Sequence, residues 1–185
     1  HLLRNDLLYT IPGDSHNAES ITKHLLAHKE IRFVSLVGID LAGNDTDERI
    51  PVKLFLENID EYLNGAIQTD GSSVVLPGIA TINDGKVDFV ADKSVTWFVD
   101  YNYENIHPET DKPVGTLRIP CFLVHNGQEV CSRSILKRAV NHFNDKMMTL
   151  LRDYPGTCDA WGISPNDIKN ITLKANDGTD LFAKL

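Results

Sequence analysis

The chain has no run of basic residues and no long apolar segment. Its 185 residues include 18 lysines and arginines against 26 acidic residues, so the formal net charge is -8. Most of such a surface would repel a nucleic acid or an anionic membrane. No apolar stretch approaches the roughly 20 residues that cross a bilayer, and Leu2 and Leu3 are followed at once by Arg4. We therefore expect no nucleic-acid partner, no membrane partner and a cytoplasmic location.

Cysteines are few, and histidines are scattered. The three cysteines, Cys121, Cys131 and Cys158, do not have the spacing of metal ligands. Cys121 lies in an apolar run, where a free cysteine usually packs as a small hydrophobic residue, and a reducing compartment fits this usage. His24 and His28 could share one face of a helix, but no third ligand follows them, so a zinc site is not expected there. The sequence has no Gly-rich phosphate loop either.

The patterning of apolar residues predicts an α+β fold with a mixed sheet. Hydrophobic residues make up 42% of the chain and charged residues 24%, values typical of a globular domain that buries a core. A helix with its cap-rich start is predicted first, followed by a hairpin and a short helix closed by Gly65. Short strands alternate with turn signals after that. The predicted elements are a helix at 17–28, strands at 31–37 and 50–56, a helix at 59–63, and strands at 74–75, 87–90 and 95–99.

The second part of the chain has a different pattern. Residues 101–113 are rich in Asn and Pro, which predicts a linker. A long apolar strand at 116–124 leads into Asn126-Gly127, a strong hairpin signal, and an amphipathic helix at 134–151 follows with Ser132 as its N-cap. Three further elements are predicted beyond it: a short helix starting at Ser164, and strands at 171–175 and 181–182.

The stretch Gln68-Thr69-Asp70-Gly71-Ser72-Ser73 is the main candidate site, because it places a carboxylate and two hydroxyls on one turn. Glycine permits positive φ, so the turn could be tight enough for Asp70 and the Ser73 hydroxyl to face the same space. A small cation would suit such a site. Plain turn chemistry explains the same composition, and the sequence leaves both interpretations open.

Several motifs occur together in the order found in one enzyme family. They are Ile31 to Asp40, Ile50-Pro51-Val52, Thr69 to Ser73, Pro77-Gly78-Ile79, Asp88 to Asp92, Thr116 to Ile119 with Cys121, and Ser132 to Ala139. In this order the chain resembles the amino-terminal part of glutamine synthetases, most of all those of anaerobic bacteria. Each motif alone is weak, whereas their shared order over residues 30–140 is specific.

The resemblance implies a β-grasp mixed sheet crossed by a helix in residues 1–110, followed at 111–185 by a truncated strand and helix that begin the catalytic domain. The family joins glutamate and ammonia with ATP and two divalent metals, Mg²⁺ or Mn²⁺. Its ring-shaped homo-oligomers combine the catalytic domain of one subunit with the amino-terminal domain of its neighbour. Asp70 matches the family's aspartate that binds ammonium and takes its proton, and Ser73 matches the serine that shapes that site.

The chain also departs from the family. Where the family has an E-x-E pair of metal-binding glutamates, this chain has residues 171–180, in which Asp177 and Asp180 are weak candidates for remnants. We expect no metal or nucleotide site in these 185 residues and no catalysis by them alone. Arg133 matches an arginine of the family's D-P-R motif, although Cys131 and Ser132 replace the aspartate and proline, and local pairing at the helix start is its simpler role.

Two functions remain open on the sequence. The first is the amino-terminal part of an ATP-dependent glutamate-ammonia ligase, with ammonium, glutamate and ATP as ligands of the full-length parent. The alternative is a stand-alone truncated homologue that acts as a non-catalytic binding or subunit-interaction module. The length of the native coding sequence would discriminate between them.

Overall fold

The structure is a computed structural model in which residues 9–74, 85–154, 156 and 160 are described. The chain divides into two compact units, His1–Ile135 and Leu136–Leu185. The described residues form β1 (Thr10–Ile11), α1 (Ala18–Ala27), β2 (Ile31–Ile39), β3 (Asp45–Pro51), α2 (Val52–Glu57), α3 (Ile59–Leu63), β4 (Asn64–Asp70), β5 (Lys86–Ala91), β6 (Trp97–Ile106), β7 (Pro113–His125), β8 (Gln128–Glu129) and α4 (Ser132–Asp153). Two single 3₁₀ turns lie at Gly13–Ser15 and Gly71–Ser73.

The strands form one mixed sheet in the order β1-β6-β7-β2-β3. Strands β2 and β7 run parallel, and the other pairs are antiparallel. The far half of β7 pairs with β5, which in turn pairs with β4, and the end of β7 pairs with β8. This arrangement confirms the predicted α+β class and is consistent with a β-grasp-like sheet.

One face of the sheet and helix α1 enclose the core. The side chain of Asn17 caps the helix by accepting a 2.9 Å hydrogen bond from the Ser20 backbone N–H. One turn apart, Ile21 and Leu25 are buried in the same cluster as the inward residues of the strands. Every second residue of β7 is buried there: Leu117, Ile119, Cys121 and Leu123. Alternation along a strand leaves the other face of β7 to half-buried residues.

At position 38 of β2, an added side chain would overlap the Leu123 side chain of β7. A Cβ built on Gly38 would lie 2.4 Å from Cδ2 of Leu123, far inside van der Waals contact. The missing side chain therefore makes room for the Leu123 side chain in the core. Gly65 has a different role, since it follows α3 with φ +100°, which confirms the predicted C′ glycine.

The predicted hairpin exists, but its second strand was placed too late in the chain. Residues 45–51 form β3, which pairs antiparallel with β2, whereas 52–57 are helical. The sequence of β3 is Asp-Thr-Asp-Glu-Arg-Ile-Pro, and such a polar strand carries no apolar alternation. Pro51 precedes α2, where its missing N–H costs no hydrogen bond. The strand prediction at 50–56 is therefore wrong beyond residue 51.

Other predictions also need correction. Residues 101–113 are no linker, because β6 and β7 form a hairpin through them. Val74 is not in a strand, and Val95 lies before β6 begins. Strand β4 was not predicted.

Other predictions lie outside the described residues. They are those for residue 75, for the helix at Ser164, for 171–175 and 181–182, and for Asp177, Asp180 and Cys158. Strand β7 lies in the sheet beside β2. The division of the chain at 110/111, with β7 in the second part, stays a prediction.

Candidate functional site

Asp70 is the last residue of β4 and is exposed to solvent. It faces Lys86 in the register of the β4–β5 pair. The 3₁₀ turn Gly71–Ser73 follows directly, and the Gly71 N–H donates to the Gly85 carbonyl at 2.7 Å. The strand pair thus ends in a fixed turn that presents Asp70 at an edge of the sheet.

The carboxylate of Asp70 caps this turn. Its Oδ1 accepts a 2.7 Å hydrogen bond from the Ser72 backbone N–H. This bond, together with one from the Ser72 side chain, lowers the pKa of Asp70 below its ordinary value. A carboxylate that accepts hydrogen bonds keeps its charge to lower pH and becomes a weaker base. Asp70 is therefore better suited to holding a cation than to retaining a proton.

The local geometry differs from the expected one in two ways. Gly71 is not among the residues with positive φ, so the turn is tight because it is helical and not because glycine adopts a left-handed conformation. The hydrogen-bond partner of Asp70 is Ser72, while Ser73, the serine named from the sequence, is exposed in the same turn. The sequence signal for Ser72 is its place two residues after an Asp, the spacing of an Asx turn.

Arg133 forms an ion pair, but with a residue 41 positions earlier in the chain and not with a neighbour at the helix start as expected. Its Nη2 donates to Oδ2 of Asp92, which is 4% exposed. The Asp92 carboxylate also accepts from the Ser94 N–H at 2.9 Å and from the Ser94 hydroxyl. Burial raises the pKa of Asp92, but these hydrogen bonds and the Arg133 charge outweigh burial and leave the pKa lowered. The guanidinium also stacks over the Phe122 ring, 5.2 Å from its centroid.

The sheet face opposite the core carries a second polar network, centred on Arg118. Its Nη1 donates to the Ser35 hydroxyl and to Oδ2 of Asp47, each at 3.0 Å. Its Nη2 reaches Oδ2 of Asp100 at 3.4 Å. The sequence carries no local signal for this cluster, because its members come from four strands that only the sheet register brings together.

A cavity of about 520 Å³ opens on this face, within the unit His1–Ile135. Five of its ten lining residues are apolar, four are charged and one is a threonine. We call it the open-face pocket; it is lined by Val37, Ile39, Asp45, Val95, Thr96, Phe98, Asp100, Arg118, Pro120 and Arg133.

The histidine pair does not form a metal site in the described part of the chain. Nδ1 of His24 contacts the Tyr9 hydroxyl, whereas Nδ1 of His28 lies 3.1 Å from Oε1 of the buried Glu30. Glu30 is also bound by Lys112 at 3.2 Å. Within residues 9–74 and 85–154, no group of three or more His, Cys, Asp or Glu side chains is arranged to hold a metal ion. No helix in these ranges is long and apolar enough to cross a membrane.

Comparison with known proteins gives distant matches in structure. No family model matches the chain, and no curated protein matches it. Two solved structures that match are GmaS without ligand, at 16% identity and TM-score 0.38, and GmaS in complex with ADP, at 17% identity and TM-score 0.43. The matches cover 57% and 69% of this chain but only 21% and 26% of those chains.

These values describe a partial likeness, from which we transfer no activity. The chain spans about a quarter of the length of the structures it matches.

Proposed function

We propose that the chain is the amino-terminal part of a glutamine synthetase, in which Asp70 supplies the ammonium-binding carboxylate to the active site of a neighbouring subunit. The parent enzyme would be an ATP-dependent glutamate-ammonia ligase in the cytoplasm, assembled as a homo-oligomer through this part. The proposal is supported by the ordered motifs of residues 30–140. The observation that carries it is the position of Asp70, exposed and ionised at the end of β4.

The chemistry follows from that position. An ionised carboxylate attracts ammonium by charge and by charge-assisted hydrogen bonds. The Ser72 N–H holds one carboxylate oxygen in place, so the direction of the carboxylate is set before the cation arrives. Asp70 then receives a proton from the bound ammonium, and neutral ammonia becomes the nucleophile. Its lowered pKa favours the ionised form, which is the form that holds the cation.

Within the proposal, the parent's nucleotide and its Mg²⁺ or Mn²⁺ bind outside the described residues of this chain. The acidic side chains of residues 9–74 and 85–154 do not form a metal-binding group. Glutamate, ATP and the metals are instead held by the catalytic domain of the neighbouring subunit. Asp70 acts on ammonium alone.

The test uses protein produced from the whole native coding sequence, assayed for phosphate release that depends on ATP, glutamate and ammonium. Asp70→Ala should lower the rate by about two to four orders of magnitude, the usual contribution of a positioned acid-base group. Nucleotide affinity should remain unchanged. The matched control is Asp60→Ala, which alters another exposed aspartate, on α3.

Stability separates a catalytic role from a purely structural one. Because Asp70 caps the turn, we expect its replacement to loosen the 71–73 segment without unfolding the sheet. Circular dichroism on the Asp70→Ala variant checks this. If activity is lost together with the folded state, or if turnover and apparent ammonium affinity are both unchanged, Asp70 is only a turn residue.

A second candidate, a subunit-interaction module, is favoured by the exposed apolar side chains of α4. Leu136 is 64% exposed and Phe143 is 62% exposed on this helix. Apolar residues of this size at a surface often mark a protein contact. A coding sequence that ends at Leu185, with no phosphate release by its product, would support this module and reject the ligase.

A further inference from the structure

Residues 70–73, which we call the Asp70 turn, are held from one side by strand β5. The register of the β4–β5 pair places Asp70 opposite Lys86. The Gly71 N–H donates to the Gly85 carbonyl at 2.7 Å. Regular pairing next to the turn covers three residues of each strand, because the register shifts further back along β4. The position of the Asp70 turn therefore depends on where the first residues of β5 lie.

The start of β5 is anchored to β7 by a side chain. Within the described residues, the backbone ladder between these two strands ends at the pair Asp88–Val124. His125, the last residue of β7, reaches further along β5, since its Nδ1 donates a 2.9 Å hydrogen bond to the Lys86 carbonyl. Because a carbonyl can only accept, this nitrogen carries the ring hydrogen. One imidazole thus fastens the residue that faces Asp70.

The imidazole is itself held in one orientation by the turn between β7 and β8. With the hydrogen on Nδ1, the neutral ring has a lone pair on Nε2, and Nδ2 of Asn126 donates to it at 2.9 Å. Asn126 and Gly127 both have positive φ, as a two-residue hairpin turn requires. Both ring nitrogens of His125 therefore have partners, and the ring connects the hairpin turn to the backbone of β5.

These hydrogen bonds add little to stability, but they fix a position. His125 is half-buried, so the net free energy of each bond is small. Strands β4 and β7 lie about 10 Å apart, twice the usual spacing of neighbouring strands, with β5 between them. His125 is therefore too distant to touch an ion held by Asp70. A shift of Lys86, however, also moves Gly85, which accepts the hydrogen bond from the Asp70 turn.

We propose that His125 is a positioning residue for the Asp70 turn and, through it, for the cation that Asp70 holds. The inference rests on the proposed function, in which that cation is ammonium. His125 fixes the start of β5 through the Lys86 carbonyl, and β5 fixes the direction of the carboxylate. A small displacement of the carboxylate weakens its hold on the ion and its alignment for proton transfer.

Kinetics of the parent enzyme, produced from the whole native coding sequence, test this role. His125→Phe keeps a ring but removes the donor, and it should raise the apparent KM for ammonium about tenfold with the KM for ATP unchanged. His125→Asn keeps an N–H at the place of Nδ1 and should restore most of the ammonium affinity. His142→Phe, the same change at an exposed position of α4, should have no effect. An unchanged ammonium KM in His125→Phe, or no rescue by asparagine, would overturn the proposal.

Hydrogen exchange in the 185-residue chain gives a readout that does not depend on activity. The Gly71 amide should exchange several-fold faster in His125→Phe than in the wild-type chain or in His142→Phe, because its bond to Gly85 opens more often. This readout separates the two proposals. Full ammonium-dependent activity in Asp70→Ala would reject the ammonium role of Asp70, whereas an unchanged exchange rate of Gly71 in His125→Phe would reject the positioning role of His125.

Discussion

Replacing Asp92 should destabilise the fold more than its position in a turn after β5 suggests. The carboxylate is 4% exposed and accepts two hydrogen bonds from Ser94 and one from Arg133. The backbone of the same residue is also engaged, since its carbonyl accepts a 2.9 Å bond from the Trp97 indole. Asp92 thus ties the turn, the sheet and the first turn of α4 together.

The expected magnitude follows from these contacts. Hydrogen bonds to a charged group contribute about 1.5–3 kcal/mol each when buried, and breaking a buried ion pair costs about 3–5 kcal/mol. The Arg133 side chain is 29% exposed, so water can solvate part of its charge when Asp92 is removed. The cost therefore falls to the lower end of these ranges. We therefore expect Asp92→Ala to lower the free energy of unfolding by about 2–4 kcal/mol. Asp92→Asn should lower it by about half as much, because the amide oxygen can still accept from Ser94.

Urea unfolding followed by circular dichroism measures both variants, and a double-mutant cycle with Arg133→Met isolates the pair. We expect a coupling energy of about 1 kcal/mol for this cycle. The pKa of Asp92 is lowered in the folded state. The stabilisation that the ion pair gives is therefore fully present above the ordinary carboxyl pKa, and it is lost as the pH falls through the pKa of the folded state. A loss below about 0.5 kcal/mol in Asp92→Ala, the range of ordinary surface changes, or a stability difference that persists in strong acid, would refute the reasoning.

Two further predictions concern the packing of β7. Gly38→Ala should destabilise the protein by about 1–3 kcal/mol, the usual cost of overpacking a core, because the new methyl would overlap Leu123. Adding Leu123→Ala to this variant should relieve part of the loss. If urea unfolding shows that the effects of the two substitutions are additive, the contact is contradicted. Burial raises the pKa of Cys121 to about 12, so the thiol should not react with iodoacetamide in the folded protein. Peptide mapping should find Cys121 unlabelled in the folded protein and labelled in denaturant. Rapid labelling of the folded protein would show that the strand opens readily.

The sequence was sufficient at several places where apolar periodicity or turn chemistry was strong. Helix α1 begins beside Asn17 as predicted, and Asn126 and Gly127 both adopt positive φ, as their hairpin signal requires. Helix α4 extends from Ser132 to Asp153, close to its predicted span.

The remainder depends on partners that are distant in the chain. Strand β3 is hydrophilic and is extended because β2 hydrogen-bonds to it, so no apolar alternation marks it. The site shows the same limit. Asp70 could be singled out from a short motif, whereas the meeting of Arg118 with Asp47 and Asp100 depends on the register of separate strands, which local patterns do not encode.

The position of β7 has a consequence for how the protein is made. During synthesis, β2 and β3 can pair early as a local hairpin, but β2 and β6 remain without their shared neighbour until residues 113–125 have left the ribosome. The exposed edges of β2 and β6 are then open to wrong pairing with other nascent chains. The sheet is completed only when β7 inserts between them, so that slow translation just before residue 113 would favour aggregation over folding.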